Sequence, residues 1–177
     1  MDDFSFSVFP NERFLDLQLY QYGWEQCAPL HSYGPHVRNH FLFHYVISGR
    51  GVLDATEPNG ETRHYRLEAG QGFLICPGLV NTYCADREDP WKYVWLEFDG
   101  LRVPEYLNSA GLLPTQPIYR PKSPALGEPV QNTMLYIADH SERSTLHLIG
   151  QLCLFLDALI QSSATRRELR GGQLQDF

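Results

Sequence analysis

Short apolar runs, separated by turn-forming residues, extend from Leu15 to about Phe98. The segment from Leu15 to Trp24 (LDLQLYQYGW) alternates strictly between apolar and polar residues, and the segment from Phe41 to Ser48 (FLFHYVIS) is almost wholly apolar. Further strand-like runs are Arg63 to Leu67, Gly72 to Cys76 and Trp91 to Phe98. Short β-branched and aromatic runs, separated by turn signals every ~8–12 residues, are typical of an all-β sandwich or barrel.

Glycine and proline occupy the gaps between these runs. They supply the backbone angles that tight turns require. The clearest hairpin signal is Pro58-Asn59-Gly60, and the other turn signals are Gly49-Arg50-Gly51, Glu68-Ala69-Gly70 and Pro77-Gly78.

The last third of the sequence has helical spacing instead. Between Leu101 and Pro124 five prolines predict loops and a short helix, because proline interrupts a regular helix. Val130 to Asp139 has helical spacing. Ser141 to Gln161 is a long helix candidate, with Ser141 or Ser144 as the capping residue.

The long helix candidate carries an apolar stripe at i, i+3, i+4, i+7 spacing. Apolar residues such as Leu148, Leu154 and Phe155 extend beyond this stripe. A helix that buries one side keeps a polar opposite face, so the width indicates two partners, the barrel and a second copy of the chain. A helix sunk in its own core explains the composition equally well. The predicted dimerisation residues are Leu146, Ile149, Leu152, Cys153, Leu156 and Leu159.

The charge balance argues against nucleic-acid binding by this chain. The 177 residues are 43% hydrophobic, enough for a substantial core, and carry 14 basic and 21 acidic side chains, a net charge of −7. Proteins that hold DNA neutralise phosphates with Lys and Arg. The first 165 residues carry 11 basic and 19 acidic side chains, whereas the last twelve carry 3 and 2. We therefore expect no direct DNA contact.

The four cysteines, Cys27, Cys76, Cys84 and Cys153, form no Cys-x-x-Cys pair and show no neighbouring histidine at zinc-site spacing. Isolated thiols suit a reducing compartment.

The N-terminus lacks the basic and small-residue features of a signal peptide, and no run of ~18 apolar residues is present. The expectation is a soluble, cytoplasmic protein without a metal or a cofactor.

Enzyme motifs are missing from the sequence. Gly49-x-Gly51 and Gly70-x-Gly72 begin like a dinucleotide fingerprint but lack its third glycine, and no P-loop or nucleophile elbow occurs. Glu97 and Asp99 lie two apart on one strand, where they would not straddle a glycosidic bond. We expect a binding protein rather than an enzyme.

One strand carries an unusual aromatic face. Alternation places Trp91, Tyr93, Trp95 and Glu97 on one side of the predicted strand. Aromatic rings stack on the C–H face of a sugar while polar tips accept or donate hydrogen bonds to its hydroxyls. This face indicates a sugar-like site, and aromatic packing in the barrel core is the alternative.

An ordered set of motifs resembles the N-terminal domain of the AraC family of bacterial transcription regulators, especially the branch that controls sugar-utilisation operons. The resemblance covers essentially the whole chain. The motifs are Gly34-Pro35, the strand Phe41–Ser48 into Gly49-Arg50-Gly51, Tyr65-x-Leu67-x-Ala69-Gly70, Phe73-Leu74-Ile75-x-Pro77, Tyr83-x-Ala85-Asp86 and Pro90-Trp91-x-Tyr93-x-Trp95-x-x-Phe98-x-Gly100.

The resemblance implies a mainly β fold with C-terminal helices: a cupin-like, jelly-roll β-barrel followed by a helical dimerisation hairpin. Residues 1–14 would form an N-terminal arm, in which Phe4 to Pro10 folds over bound ligand. Residues 15–122 would form the effector-binding barrel and residues 123–165 the dimerisation element. Residues 166–177 would begin a linker to a helix-turn-helix DNA-binding domain that is absent from this chain.

The resemblance also implies a ligand site. By motif order Tyr83, Tyr93 and Trp95 match the aromatic and histidine side chains that hold arabinose in one family member, and Tyr93 replaces a histidine there. Arg38 near the barrel mouth could grip hydroxyls or a carboxylate. The other candidates are Glu97, Glu25, His31 and Tyr33. The expected partners are a small-molecule effector, with a carbohydrate as first choice, and a second copy of the chain, with no membrane contact.

Cupin barrels often hold a metal through a His-x-His pair, a Glu and a later His. Here Leu42 stands two residues after His40, Val46 stands two residues after His44, and Asn81 stands at the late position. The ligand set is incomplete, although His31, His36 and His44 could donate hydrogen bonds in a pocket. The alternative function is a cupin-fold enzyme, an isomerase or dioxygenase acting on a small sugar or metabolite.

Overall fold

The computed structural model describes residues 4–8 and 17–167. The rest of the predicted arm (1–14) and of the predicted linker (166–177) therefore lies outside the described residues. The elements in chain order are β1 (Phe4–Val8), β2 (Gln18–Gln26), β3 (Ser32–Val37), β4 (Phe41–Ser48), β5 (Arg50–Thr56), β6 (Thr62–Glu68), β7 (Gly72–Ile75), β8 (Val80–Ala85), β9 (Lys92–Asp99), α1 (Val103–Ser109), β10 (Ile118–Tyr119), α2 (Pro124–Asp139) and α3 (Thr145–Ser162).

The strands form two antiparallel sheets in a jelly-roll arrangement. One sheet has the order β1-β2-β9-β4-β7-β10 and the other β3-β8-β5-β6. The eight strands from β2 to β9 thus divide as 2-9-4-7 and 3-8-5-6, the double Greek key of a jelly roll. Strands β1 and β10 extend the first sheet at its two edges. The predicted fold class, mainly β with C-terminal helices, is confirmed.

The predicted hairpin at Pro58-Asn59-Gly60 is confirmed. It joins β5 to β6, whose last and first residues Thr56 and Thr62 pair across the turn. Gly60 has a positive φ of 87°, and its N–H donates to the carbonyl of Glu57 at 2.9 Å. Glycine adopts this left-handed conformation without the steric cost that a Cβ would bring.

Strands β3, β5 and β8 were not predicted from the sequence. Strand β3 (SYGPHV) contains a glycine and a proline and is exposed along its whole length, so no apolar alternation marks it. Its pairing with β8 shifts register between Tyr33 and His36. Cross-strand pairing, rather than local propensity, makes this segment a strand.

The six-stranded sheet is buried on both faces. Strand β9 places Val94, Leu96 and Phe98 against the helices and Tyr93 against the four-stranded sheet. The helix-side core includes Phe155 and other apolar residues of α3. Strands covered on both sides are near-continuously apolar, which explains the sequence of β4 (FLFHYVIS).

Helix α2 begins earlier than predicted, whereas α3 begins directly after Ser144, one of its two predicted capping residues. Helix α2 begins at Pro124, six residues before Val130, because proline fits the first helical turn, where its missing N–H is not needed. Helix α3 begins at Thr145, and its cap is Ser144, whose hydroxyl accepts from the N–H of His147 at 3.3 Å.

Most of the predicted dimerisation stripe is buried inside the chain. Ile149, Leu152, Leu156 and Leu159 belong to the core between α3, α2 and the sheet. Of the predicted set only Leu146 and Cys153 are exposed.

Helix α3 is long and apolar enough to span a membrane. Its packing in the helix-side core already accounts for its apolar sequence.

A close approach between two core residues gives a test of the barrel packing. A Cβ at Gly51 would overlap the indole of Trp91, which is 1% exposed. We expect Gly51→Ala to lower the free energy of unfolding by ~1–3 kcal/mol, as other overpacked cores do. Urea denaturation measures this. Ser48→Ala, at a nearby exposed position, is the control and should stay within ~0.5 kcal/mol of wild type. An unchanged Gly51→Ala variant would contradict this packing.

Candidate ligand-binding site

A cavity of about 330 Å³ lies between the inner faces of the two sheets. This volume is at the lower end of the range for small-molecule sites. Strands from both sheets and the arm strand β1 contribute to its wall. The lining residues are Phe4, Phe6, Gln21, Glu25, Tyr33, Arg38, Leu42, His44, Tyr83, Tyr93 and Trp95. Six of the eight predicted ligand-binding residues are therefore in the wall of one cavity.

Trp95 and Tyr93 form the aromatic face predicted for β9. Their ring centroids are 5.8 Å apart and their planes meet at 74°. Phe4 of β1 also stacks on Trp95, with ring centroids 5.9 Å apart. Trp91 lies in the same inner cluster, with its ring centroid 5.8 Å from that of Tyr93, but it is fully buried beside Phe73 and does not line the cavity.

The arm strand reaches Trp95 because β2 has a glycine opposite it. A Cβ at Gly23 would overlap the carbonyl oxygen of Ser5 and lie 2.9 Å from Cη2 of Trp95. Gly23 pairs with Phe6 on one side and with Trp95 on the other. The missing side chain lets three strands and the indole meet at this corner of the cavity.

A tyrosine, a carboxylate and a histidine are connected at one side of the cavity. The Tyr93 hydroxyl donates to Oε2 of Glu25 at 2.8 Å, and Nε2 of His31 lies 3.2 Å from Oε1 of the same carboxylate. Burial raises the pKa of Tyr93 far above its usual range. The phenol therefore stays protonated and acts as a hydrogen-bond donor. His31 contacts Glu25 without lining the cavity itself.

A cation and a second carboxylate lie at another part of the wall. Nη2 of Arg38 donates to the Tyr33 hydroxyl at 3.1 Å, and Nη1 lies 3.7 Å from Oε2 of Glu97. Oε1 of Glu97 is 3.1 Å from Nδ1 of His40. Glu97 thus supports Arg38 from outside the lining. Its Oε2 has no hydrogen-bond partner within residues 4–8 and 17–167.

Tyr83 lines the cavity between Tyr33 and the buried Phe73. Its ring stacks on Tyr33 at 5.4 Å and packs against Phe73 at 5.5 Å. Burial raises the pKa of Tyr83 well above its usual range, an effect that the positive charge of Arg38 opposes. Like Tyr93, it remains a neutral phenol.

His44, at the centre of β4, is the most deeply buried polar residue of the wall. Its ring stacks on Phe73 at 4.5 Å and meets Tyr93 edge-on at 4.9 Å. Burial lowers the pKa of His44 well below its ordinary 6.5, and Arg38 lowers it further. Its Nδ1 has no hydrogen-bond partner among the described residues. The imidazole is therefore neutral at physiological pH.

Four lining residues (Phe4, Phe6, Gln21 and Leu42) were not predicted as ligand contacts, and His44 was predicted only as a hydrogen-bond donor in a pocket. Gln21 could have been found, because it alternates with Glu25 along β2. Phe4 and Phe6 lay in the segment expected to cover the ligand, but no individual residue was identified. Leu42 and His44 lie in an almost wholly apolar strand, where sequence gives no sign of which face borders a cavity.

The cavity offers aromatic faces together with hydrogen-bond donors and acceptors. Neutral phenols and a guanidinium donate, while the Glu25 carboxylate accepts. Such a mixture suits a ligand with an apolar ring face and several hydroxyl groups.

A sequence profile described as the AraC-like ligand binding domain matches residues 18–173. The chain is 28% identical over 148 residues to the Msm operon regulatory protein of Streptococcus mutans, covering 82% of this chain and 51% of that protein. It is 34% identical over 134 residues to the raffinose operon transcriptional regulatory protein RafR of Pediococcus pentosaceus, covering 74% and 43%.

A third relative is the lactose operon transcription activator of Staphylococcus xylosus, 28% identical over 102 residues, covering 58% of this chain and 35% of that protein. The chain spans about half or less of the length of these curated relatives.

Among solved structures, YhaK from Escherichia coli has a TM-score of 0.47 at 16% identity, covering 55% of this chain and 45% of that one. Bacillus subtilis oxalate decarboxylase has a TM-score of 0.42 at 14% identity, covering 63% and 36%. The jelly-roll assignment rests on the strand order and not on these scores.

The buried His44 predicts a specific pH dependence of stability. Because the folded state holds His44 neutral, the unfolded state binds one more proton below pH 6.5, and stability falls as the pH falls. Between pH 7.5 and 5.5 the free energy of unfolding should fall by about 1.4 kcal/mol. This is the effect of one imidazole that takes up a proton in the unfolded state and stays neutral in the folded state. Urea unfolding at both pH values should show this loss in wild type.

The comparison with two variants isolates the contribution of His44. His44→Phe should reduce the pH-dependent loss by about 1.4 kcal/mol, whatever its own stability. His36→Gln, at an exposed histidine, should retain it. An equal pH dependence in wild type and His44→Phe would show that His44 is not held neutral.

Proposed function

Because the chain belongs to the AraC-like ligand-binding domain family, we propose that its cavity binds a carbohydrate and that binding controls a transcription regulator of which this chain is the sensing part. The Msm, raffinose and lactose operon regulators to which it is similar support a sugar over other small molecules. The DNA-contacting part would lie outside this chain, in line with the chain's net charge of −7.

The observation that carries the proposal is the composition of the cavity wall. Trp95 and Tyr93 offer aromatic surface to the C–H face of a pyranose or furanose ring. The Arg38 guanidinium and the Glu25 carboxylate provide a donor and an acceptor for hydroxyl groups around that ring. Aromatic stacking combined with such polar groups discriminates sugars from purely apolar ligands.

Binding would act through the arm strand β1. Phe4 and Phe6 line the cavity yet are 56% and 46% exposed, so β1 is held by few buried contacts. Segments of this kind open at low free-energy cost. A ligand that contacts both the barrel and the arm stabilises one arm position over others, which is a population shift.

The pairing of β1 with β2 would connect the position of the arm to the helices. Ser5 pairs with Trp24, whose indole N–H donates to Oδ1 of Asp139 at the end of α2 at 3.1 Å. Arm position and helix position would thus be coupled across one strand. The effector's binding energy would be used for switching and not for bond making.

The regulator proposal is favoured over a cupin-fold isomerase or dioxygenase. The matching family and the curated relatives are ligand-binding and regulatory proteins. On the same grounds, the protein would act in the bacterial cytoplasm, where such regulators meet DNA.

We also propose that two chains associate through the outer face of α3. Leu146 and Leu154 are 69% and 57% exposed. Cys153 follows Leu146 by about two helical turns and is adjacent to Leu154, so the three residues lie on one side of α3. A hollow of about 250 Å³ lined by Leu17, Tyr106 and Ile160 continues the apolar surface beside Cys153. A second copy would bury this surface, so the dimer would use the residues that the core leaves exposed.

Replacement of Trp95 by alanine tests the sugar site. A thermal-shift screen of galactose, arabinose, glucose, lactose and raffinose identifies a ligand, because a ligand of the native state raises the unfolding temperature. Calorimetric titration should then show that Trp95→Ala weakens binding by at least about 30-fold, the loss of a central aromatic contact.

Tyr65→Ala, a partly buried ring outside this cavity, is the matched control and should bind like wild type. Wild-type affinity in Trp95→Ala would contradict the assignment of the pocket.

Sedimentation velocity tests the dimer. Leu154→Glu places a charge on the exposed face of α3 and should convert a dimer to a monomer without unfolding the chain. Leu126→Glu, at a 47% exposed leucine of α2, is the control and should leave the dimer intact. A wild-type monomer at high concentration, or a dimer unaffected by Leu154→Glu, would contradict this interface.

A further inference from the structure

The chain brings one carboxylate, one thiol and one imidazole together beside the cavity. We propose that Glu25, Cys27 and His31 form a zinc site whose fourth coordination position lies on the cavity side. The metal-binding atoms of the three side chains all lie within 4.8 Å of one another. The proposal concerns metal binding and does not depend on the identity of the effector.

The local backbone explains why these three residues meet. Glu25 and Cys27 are two apart, so strand alternation places them on one face at the end of β2. The chain then turns, with the N–H of His31 donating to the carbonyl of Ala28 at 3.0 Å. Leu30 adopts a positive φ of 59°, an uncommon conformation for a leucine, and brings His31 back beside Glu25.

Hydrogen bonds to a neighbouring strand fix the position of the turn. The carbonyl of His31 accepts from the N–H of Ala85 at 2.9 Å, and the N–H of Cys27 donates to the carbonyl of Trp91 at 3.1 Å. The two ends of the turn are therefore attached to segments of the barrel. The ligating side chains are carried by ordered backbone, as a preformed metal site requires.

The spacing of two donor atoms fits a tetrahedral zinc ion. Zinc binds imidazole nitrogen and carboxylate oxygen at ~2.0–2.1 Å, so two such atoms at a tetrahedral angle lie ~3.3 Å apart. Nε2 of His31 and Oε1 of Glu25 are 3.2 Å apart. The thiolate of Cys27 would be the third ligand, at a Zn–S distance of ~2.3 Å.

The charges of these three ligands match the charge of a zinc ion. A carboxylate and a thiolate together neutralise the two positive charges of zinc. Glu25 and Cys27 are 8% and 3% exposed, so a neutral cluster avoids the cost of an uncompensated ion in a buried place. The mixture of sulfur, nitrogen and oxygen ligands suits zinc better than magnesium or calcium, which prefer oxygen alone.

The surroundings supply further features of a metal site. The Tyr93 hydroxyl donates to the second oxygen of Glu25 at 2.8 Å and so orients the carboxylate. Three protein ligands leave one position open, the arrangement of zinc sites that bind water or a ligand. Because Glu25 and Tyr93 both line the cavity, a hydroxyl of a bound molecule could reach this position.

The sequence predicted no metal site because the known ligand spacings do not occur in it. Cys-x-x-Cys pairs and the His-x-His set of cupins are absent, but Glu25-x-Cys27 followed by His31 has its own geometry once the turn forms. The pair Cys27 and His31 is separated by only three residues. Without the fold, nothing distinguishes this spacing from coincidence.

The test uses protein without a histidine tag, in a phosphine reductant that does not bind zinc strongly, after removal of metal with a chelator. Titration with Zn²⁺ against a chromophoric chelator should give one equivalent per chain. Cys27→Ser and His31→Ala should each weaken binding at least about tenfold, since loss of groups that merely orient ligands already costs 10–100-fold. Glu25→Gln, which preserves volume, should do the same.

Two controls separate this site from surface binding. Cys153→Ser and His36→Ala change an exposed thiol and an exposed imidazole and should bind Zn²⁺ like wild type. Co²⁺ provides a second readout: thiolate-to-cobalt charge-transfer absorption should appear in wild type and Cys153→Ser and disappear in Cys27→Ser. Circular dichroism confirms that each variant is folded.

The outcomes that overturn the proposal are specific. Absence of Zn²⁺ binding by folded wild-type protein would do so. Binding that survives in both Cys27→Ser and His31→Ala, or that is lost in Cys153→Ser, would place the metal elsewhere. The sugar titration is to be carried out on metal-free protein, so that failure of the zinc site and failure of the sugar site can be told apart.

Discussion

Burial of the six-stranded sheet on both faces is the constraint on which the rest of the structure depends. Strand β9 sends Val94, Leu96 and Phe98 to the helices and Tyr93 and Trp95 to the space between the sheets. The helix-side core stabilises this sheet on one face, and a second apolar cluster that includes Leu53 and Ile75 fills part of the space between the sheets. The rest of the inner face carries aromatic rings, phenols and charges around a cavity.

The charged groups of the cavity are arranged so that each has a partner of opposite charge or a hydrogen-bond donor. Arg38 lies near Glu97, and Glu25 accepts from Tyr93. A buried charge without such compensation is costly. The phenols and His44 are held neutral by their burial, so they add polarity without adding charge. This character is compatible with the neutral, hydroxyl-rich ligand that we propose, and the operon regulators to which the chain is similar support that proposal.

The sequence predicted those parts of the fold that local pattern encodes. Strand β4 was predicted with both ends correct, because its apolar run is bounded by clear turn residues. Strand β3 was missed because its exposed residues pair only through tertiary contacts. For the site, alternation in β9 identified Tyr93 and Trp95, but not that Trp91 would be displaced into the core by its packing on Gly51. The position of His31 beside Glu25 and Cys27 depends on one turn and could not be read from spacing alone.

The proposed sensor works only if the sugar lies inside the barrel, between the two sheets and under the arm. A crystal structure of the chain with the sugar that gives the largest thermal shift decides this. The expected result is density for a sugar ring against the indole of Trp95, with hydroxyls within hydrogen-bond distance of Arg38 or Glu25 and with β1 closed over it. A sugar bound on the outer surface, with this cavity empty, would contradict the account.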